Sequence, residues 1–259
     1  MDTLSANGID IRYDIRGDGP WLVLAHSLAT DLTLWDDNLA ALTPHFRVLR
    51  FDTRGHGGSS APDMPYDFAM LTADVLGLMD ALDVERAHFC GISMGGMIAQ
   101  HVALAAPERV DRLVLVSTTS GYPPTSKALW AERIALVRAS GMAAQVAPTL
   151  ERWFTLPYRE AQPEVMDRIG GLIQATPPTG YIGSGQAIST LNTTDRLSAL
   201  TCPALVIVGV DDAGTPPVMG RRIAERIPGA RFEQIASASH LCNIEQAPAF
   251  NRLLADFLA

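Results

Sequence analysis

Short unbroken apolar runs, alternating with longer segments of helical period, are what most narrow the folds open to this chain. The runs WLVLA (21–25), HFC (88–90), RLVLVS (112–117) and ALVIVG (204–209) lack the apolar–polar alternation of a half-exposed strand. They read as strands covered on both faces. IDIRYDI (9–15) does alternate, as a half-buried strand would, and RVLRFD (47–52) and ARFEQI (230–235) are strand-like as well. Between these stretches, 68–83, 94–106, 217–227 and 246–258 carry apolar residues at helical spacing. Strand then helix, repeated, builds an α/β protein: a mostly parallel twisted sheet with helices on both faces. A chain of 259 residues is long enough to bury a large core in one such domain.

One interval breaks the rhythm. From 121 to 195 no buried strand pattern occurs; helical patterns alternate with YPPTS, APTL, LPY, AQP and ATPPTG. The strand pattern resumes at CPALVIVG (202–209), so the interval leaves the sheet and returns to it. The expected organisation is a core of residues 1–120 and 196–259 with a helical lid at 121–195.

Composition excludes several functions. A net charge of −8 and a pI near 5.2, with no basic run among aromatics, offer nothing to a phosphate backbone, so nucleic acid is not expected as a partner. The N-terminal MDTLSANGIDIRYDI lacks a basic and then apolar leader, and no window is long and apolar enough for a membrane span. The expectation is a cytoplasmic protein without a membrane partner. Cys90, Cys202 and Cys242 are odd in number and widely spaced, as reduced thiols rather than a disulfide framework or zinc site. No residue pattern calls for a metal or an organic cofactor, and none sets an oligomeric state.

The chemistry sits at the strand ends. Gly91, Ser93 and Gly95 form G-x-S-x-G directly after HFC and directly before a helical segment. A tight strand-to-helix turn strains the serine backbone, and small flanking residues admit close neighbours. The helix N-terminus beneath it supplies free N–H groups where an oxyanion would form. A serine hydroxyl needs a base to take its proton and a third group to orient that base. His26, His45, His56 and His88 precede Ser93, and His101 lies in the helix after it. This leaves His240, in ASASHLCNIEQ (236–246), for the order serine, acid, histidine. The last strong strand ends in VDDAGTPP (210–217), which presents Asp211 and Asp212 at the carboxyl end of the sheet.

With these residues in place the chain resembles the α/β-hydrolase superfamily. The family pattern G-x-x-D-x-x-x-P maps onto Gly209, Asp212 and Pro216, which favours Asp212 as the acid and leaves Asp211 on the loop surface. The resemblance implies an oxyanion hole of the Met94 and Leu28 backbone N–H groups. Here the usual His-Gly before the second donor is His26-Ser27, and His26 is expected to brace the loop. The stretch FDTRGHGGSS (51–60) resembles the family's D-x-R-G-x-G-x-S loop, with structural roles for Asp52, Arg54 and His56.

Within the superfamily, SLATDLTLW (27–35), FRVLRFDTRGHG (46–57), DVLGLMDAL (74–82), FCGISMGG (89–96) and ASHLCNIEQA (238–247) are similar to the 3-oxoadipate enol-lactonase branch. That branch also includes broad carboxylesterases and cofactor-free perhydrolases. The resemblance implies hydrolysis of a small-molecule carboxylic ester or lactone, with a broad carboxylesterase as the alternative and a perhydrolase or ligand receptor on the same scaffold behind it. An enol-lactone of aromatic catabolism carries a free carboxylate, which an arginine fork suits. Residues 121–190 hold Lys127 and five arginines against five acids, a net +1 in a chain of −8. LWAER (129–133) and RWFT (152–155) also resemble the lid of that branch, which makes Trp130, Arg133 and Trp153 the expected substrate contacts.

Overall fold

The computed structural model describes residues 1–123 and 125–259. Its strands are β1 (Asp2–Ala6), β2 (Ile9–Arg16), β3 (Trp21–Ala25), β4 (Arg47–Phe51), β5 (Ala87–Ile92), β6 (Val110–Val116), β7 (Ala204–Gly209) and β8 (Arg231–Ile235). They form one sheet in the order β1-β2-β4-β3-β5-β6-β7-β8. The pairs β1–β2 and β2–β4 are antiparallel and all others parallel. Central β5 and β7 are buried along their whole length, which is why they read as continuous apolar runs and not as alternating ones.

The helices are α1 (Asp36–Leu42), α2 (Phe68–Ala81), α3 (Met94–Ala105), α4 (Ser126–Ser140), α5 (Ala143–Trp153), α6 (Leu156–Ala161), α7 (Pro163–Ala175), α8 (Pro178–Ser189), α9 (Pro217–Arg226), α10 (Cys242–Glu245) and α11 (Ala247–Leu258). The four segments of helical period become α2, α3, α9 and α11, with ends within two residues. Asp67 fixes the start of α2 by accepting the Met70 N–H at 2.7 Å. Helices cover both faces of the sheet: Gly91 of β5 lies against α3, while the adjacent Cys90 lies beside Cys242 of α10.

Three elements outside the insertion were not expected, β1, α1 and the four-residue α10. The edge strand β1, DTLSA, is mostly exposed and shows no buried face. It is held by a two-residue turn at Asn7 and Gly8, both at positive φ (47° and 75°), between the paired Ala6 and Ile9. Asn-Gly is a strong hairpin signal. Helix α1, seven residues long, is too short to display a period.

Helices α4 to α8 stand between β6 and β7, with no strand among the described residues of that interval. Its two stems meet: Gly121 bridges Asn192, and the Thr193 N–H donates to the Ser120 carbonyl at 2.8 Å. The Leu241 N–H donates to the Trp153 carbonyl and the Thr155 N–H to Glu245 Oε1, both at 3.1 Å, so the helical insertion is packed onto the sheet domain. Among the described residues no helix is long and apolar enough to cross a membrane.

Candidate active site

Ser93 is the single residue between β5 and α3, at φ 55° and ψ −115°. A non-glycine residue is strained there, so the surroundings must hold it. The Ser93 N–H donates to the Val116 carbonyl at 2.9 Å, and the Thr118 hydroxyl donates to the Ser93 carbonyl at 2.7 Å. The flanking glycines permit the close approach this turn demands. A Cβ on Gly91 would lie 2.2 Å from the Gly95 carbonyl oxygen, and one on Gly95 would lie 2.1 Å from that of Ala25. Met94 is the first residue of α3, so its N–H is among those a helix leaves unpaired.

His240 and Asp212 are brought together by the loops that leave β8 and β7. The His240 ring donates from Nδ1 to Asp212, 2.9 Å from Oδ2 and 3.1 Å from Oδ1. The carboxylate also accepts the Gly214 N–H at 2.7 Å, the Thr215 N–H at 2.9 Å and the Thr215 hydroxyl at 2.8 Å. Burial pushes the Asp212 carboxyl up, but the charge and hydrogen bond of His240 and the Thr215 donors outweigh it and hold it below the usual carboxylate range. Asp211, by contrast, is exposed. The geometry therefore pairs His240 with Asp212, leaving Nε2 as the ring's free nitrogen. Trp153 stacks on the imidazole, centroids 6.0 Å apart and planes 19° off parallel.

Ser93 and His240 line one small pocket. The loop after β3 forms another part of its wall through Ser27, Leu28 and Ala29. His26 braces that loop from behind: its Nδ1 donates to the Ser27 carbonyl at 2.7 Å, and its Nε2 accepts the Thr53 N–H at 2.9 Å. The Leu28 N–H has no hydrogen-bond partner among the described residues. The loop 51–60 is structural. Asp52 accepts from the Leu32 and Gly58 N–H groups at 2.8 and 2.7 Å and from Arg12, and Arg54 forks onto Asp74.

All three expected lid residues, Trp130, Arg133 and Trp153, line the pocket. Arg133 lies over the Trp130 ring, 5.0 Å from its centroid. The sequence does not single out Arg152, Tyr122 or Tyr181, which also line the pocket. Thr149, Arg152 and Trp153 recur at i, i+3 and i+4 on α5, a helical spacing that could have placed Arg152 beside Trp153. Arg152 donates to the Thr149 hydroxyl at 2.9 Å. Neither Arg133 nor Arg152 has a carboxylate at ion-pair distance among the described residues. Burial lowers the Arg152 pKa, and the charge of Arg133 lowers it further. Two guanidiniums thus face one small pocket. Among the described residues, no group of three or more His, Cys, Asp or Glu could hold a metal ion, and the three cysteines are free thiols.

Comparison with known proteins places this geometry among relatives. Residues 20–247 match the family described as the alpha/beta hydrolase fold. The chain is 34% identical to 3-oxoadipate enol-lactonase 2 of Acinetobacter baylyi over 252 residues, 96% of this chain and 93% of that protein. It is similar to the crystal structure of the enol-lactonase from Burkholderia xenovorans LB400, with TM-score 0.95, 41% identity and 99% of both chains covered. It is also similar to a thermophilic esterase from Thermogutta terrifontis solved with malate bound, with TM-score 0.95, 27% identity, and 100% of this chain and 98% of that one covered.

Proposed function

The chain belongs to the alpha/beta hydrolase fold family, and on that premise we propose that it hydrolyses a carboxylic ester or lactone through Ser93, His240 and Asp212, acting on a substrate that carries a free carboxylate. The observation that carries the reading is the Asp212–His240 pair on the pocket that Ser93 shares. In this reading His240 Nε2 takes the Ser93 proton as Oγ attacks the carbonyl. The Leu28 and Met94 N–H groups hold the oxyanion. His240 then returns the proton to the leaving enolate or alkoxide, and water hydrolyses the acyl-enzyme by the same steps. Every proton moves through His240, while the ionised Asp212 stabilises the imidazolium.

Residues 121–195 act as the lid and select the substrate. Arg133 and Arg152 attract a carboxylate into a pocket otherwise walled by Trp130, Trp153, Tyr122 and Tyr181. The enol-lactonase relatives support an enol-lactone of the 3-oxoadipate type as the substrate. The small-molecule substrate requires no cofactor for these steps, and a cytoplasmic location suits the free thiols.

The test compares kcat/KM on an unsaturated γ-lactone bearing a carboxylate with that on neutral phenyl acetate, for wild type, Arg133→Ala and Arg152→Ala. Loss of one charge-assisted contact is worth about 1.5–3 kcal/mol. Each variant is therefore expected to lose about 10- to 150-fold on the lactone, chiefly in KM, and less than about threefold on phenyl acetate. Equal activity on both substrates, unaffected by either change, would instead identify a broad carboxylesterase.

A further inference from the structure

The loop after β3 holds a polar atom that nothing in the fold uses. Ser27 is fully buried and lines the pocket with Ser93 and His240, yet its hydroxyl has no hydrogen-bond partner among the described residues. Its backbone carbonyl is fully engaged, accepting from His26 Nδ1 at 2.7 Å, the Thr30 hydroxyl at 2.8 Å and the Thr30 N–H at 3.3 Å. The carbonyl is therefore spent within the loop, and the hydroxyl of this pocket-lining residue is left unpaired. A buried hydroxyl without a partner is costly. Glycine, common at this place in the pattern the chain resembles, would remove that cost.

We propose that the Ser27 hydroxyl is a third oxyanion donor, hydrogen-bonding the substrate's carbonyl oxygen once Ser93 has attacked. The inference rests on the serine-hydrolase reading above. Ser27 precedes Leu28 in the chain, and the Leu28 and Met94 N–H groups supply two donors. A carbonyl oxygen has two lone pairs and is satisfied by those two. The tetrahedral alkoxide has three and takes one donor more. A donor that finds its acceptor only after attack stabilises the transition state and not the bound substrate. Ser27 gives up no proton in the process; it only donates a hydrogen bond. Its effect belongs in kcat and in the affinity of tetrahedral adducts, while KM stays constant.

The experiment measures kcat and KM on the preferred ester or lactone, and Ki for phenylboronic acid, which adds reversibly to a serine Oγ as a tetrahedral boronate. Ser27→Ala and Ser27→Gly are compared with wild type, with thermal melting as the control for folding. Removal of one oxyanion donor costs about 10²–10³ in rate; for the third of three, a loss of about 10- to 100-fold in kcat is expected. KM should stay within about threefold, Ki should rise by a factor similar to the loss in kcat, and Tm should be unchanged or higher. Two results overturn the proposal: both variants keeping kcat within about twofold, or kcat falling while Ki stays at the wild-type value, which marks a loop-shaping role. Ser93→Ala in the same assay separates the two layers. If it turns over at the wild-type rate, the hydrolase reading itself has failed; if it is inactive, the Ser27 variants judge Ser27 alone.

Discussion

Replacing Asp212 with asparagine exchanges one oxygen for an amide nitrogen and keeps the shape of the loop, so it isolates the charge. The carboxylate accepts four donors: His240 Nδ1 at 2.9 Å from Oδ2, the Gly214 and Thr215 N–H groups at 2.7 and 2.9 Å from Oδ1, and the Thr215 hydroxyl. Asparagine can keep Oδ1 on the two backbone donors, but its NH2 group then stands where Oδ2 met His240. The ring must accept at Nδ1, which moves its proton to Nε2, the nitrogen that has to take the proton of Ser93. The imidazolium also loses its counter-charge. A unit charge pair 2.9 Å apart at an effective dielectric of 20 is worth about 6 kcal/mol, or about four decades in rate at ~1.4 kcal/mol per decade. Asp212→Asn is therefore expected to lower kcat/KM about 10⁴-fold at pH 7, followed as 4-nitrophenolate release from 4-nitrophenyl acetate with buffer hydrolysis subtracted. A variant that keeps more than about a tenth of wild-type activity while folding normally refutes the reasoning, because the Asp212–His240 bond would then be structural only.

Gly95→Ala places a Cβ 2.1 Å from the Ala25 carbonyl oxygen, and strand backbone cannot yield. The expected cost is about 3 kcal/mol or more, read as a lower melting temperature or insolubility with loss of turnover, and wild-type melting and rate would contradict it. Trp153→Phe keeps a flat face on His240 and should leave kcat within about threefold. Trp153→Ala removes the stack and should lower kcat about 3- to 10-fold, the size of a ring contact; equal kcat values at substrate saturation would show the stack to be idle. Burial, with His26 beside it, lowers the His56 pKa from 6.5 to about 3. The unfolded chain thus binds this proton near pH 6.5 and the folded chain only near 3, so stability falls as pH drops through that window. His56→Gln should flatten the slope by about 1.4 kcal/mol per pH unit, measured from urea midpoints between pH 7 and 4, and an unchanged slope counts against it.

What the sequence revealed, and what it hid, follows from the physics of each element. Strands β5 and β7 announced themselves because both faces are covered and every position is apolar. Strand β1 did not, since an exposed edge strand needs no buried face; its Asn7-Gly8 turn was the legible sign. Two adjacent aspartates look alike in a sequence. The family pattern singled out Asp212, and the fold supplies the physical difference: Asp211 is exposed, whereas Asp212 is buried and bonded to His240. Tyr122 and Tyr181 stand at opposite ends of the insertion and reach one pocket wall through its packing, a juxtaposition that no local pattern encodes. Arg133 and Trp153 could be named from the resemblance alone. Arg152 required the helical spacing of α5 to be carried through to its consequence. The unpaired Ser27 hydroxyl is invisible without coordinates, because absence of a partner is a property of the whole surroundings.

The central claim is that Ser93 is the nucleophile, and covalent trapping tests it most directly. The protein is treated with a fluorophosphonate, activity is followed to completion, and the adduct is located by intact mass and peptide mapping. One phosphonyl group per chain on Ser93, formed in step with the loss of hydrolysis and absent from Ser93→Ala, is the predicted result. Full loss of activity with the group on another residue, or a Ser93→Ala variant that hydrolyses the substrate at the wild-type rate, would contradict it.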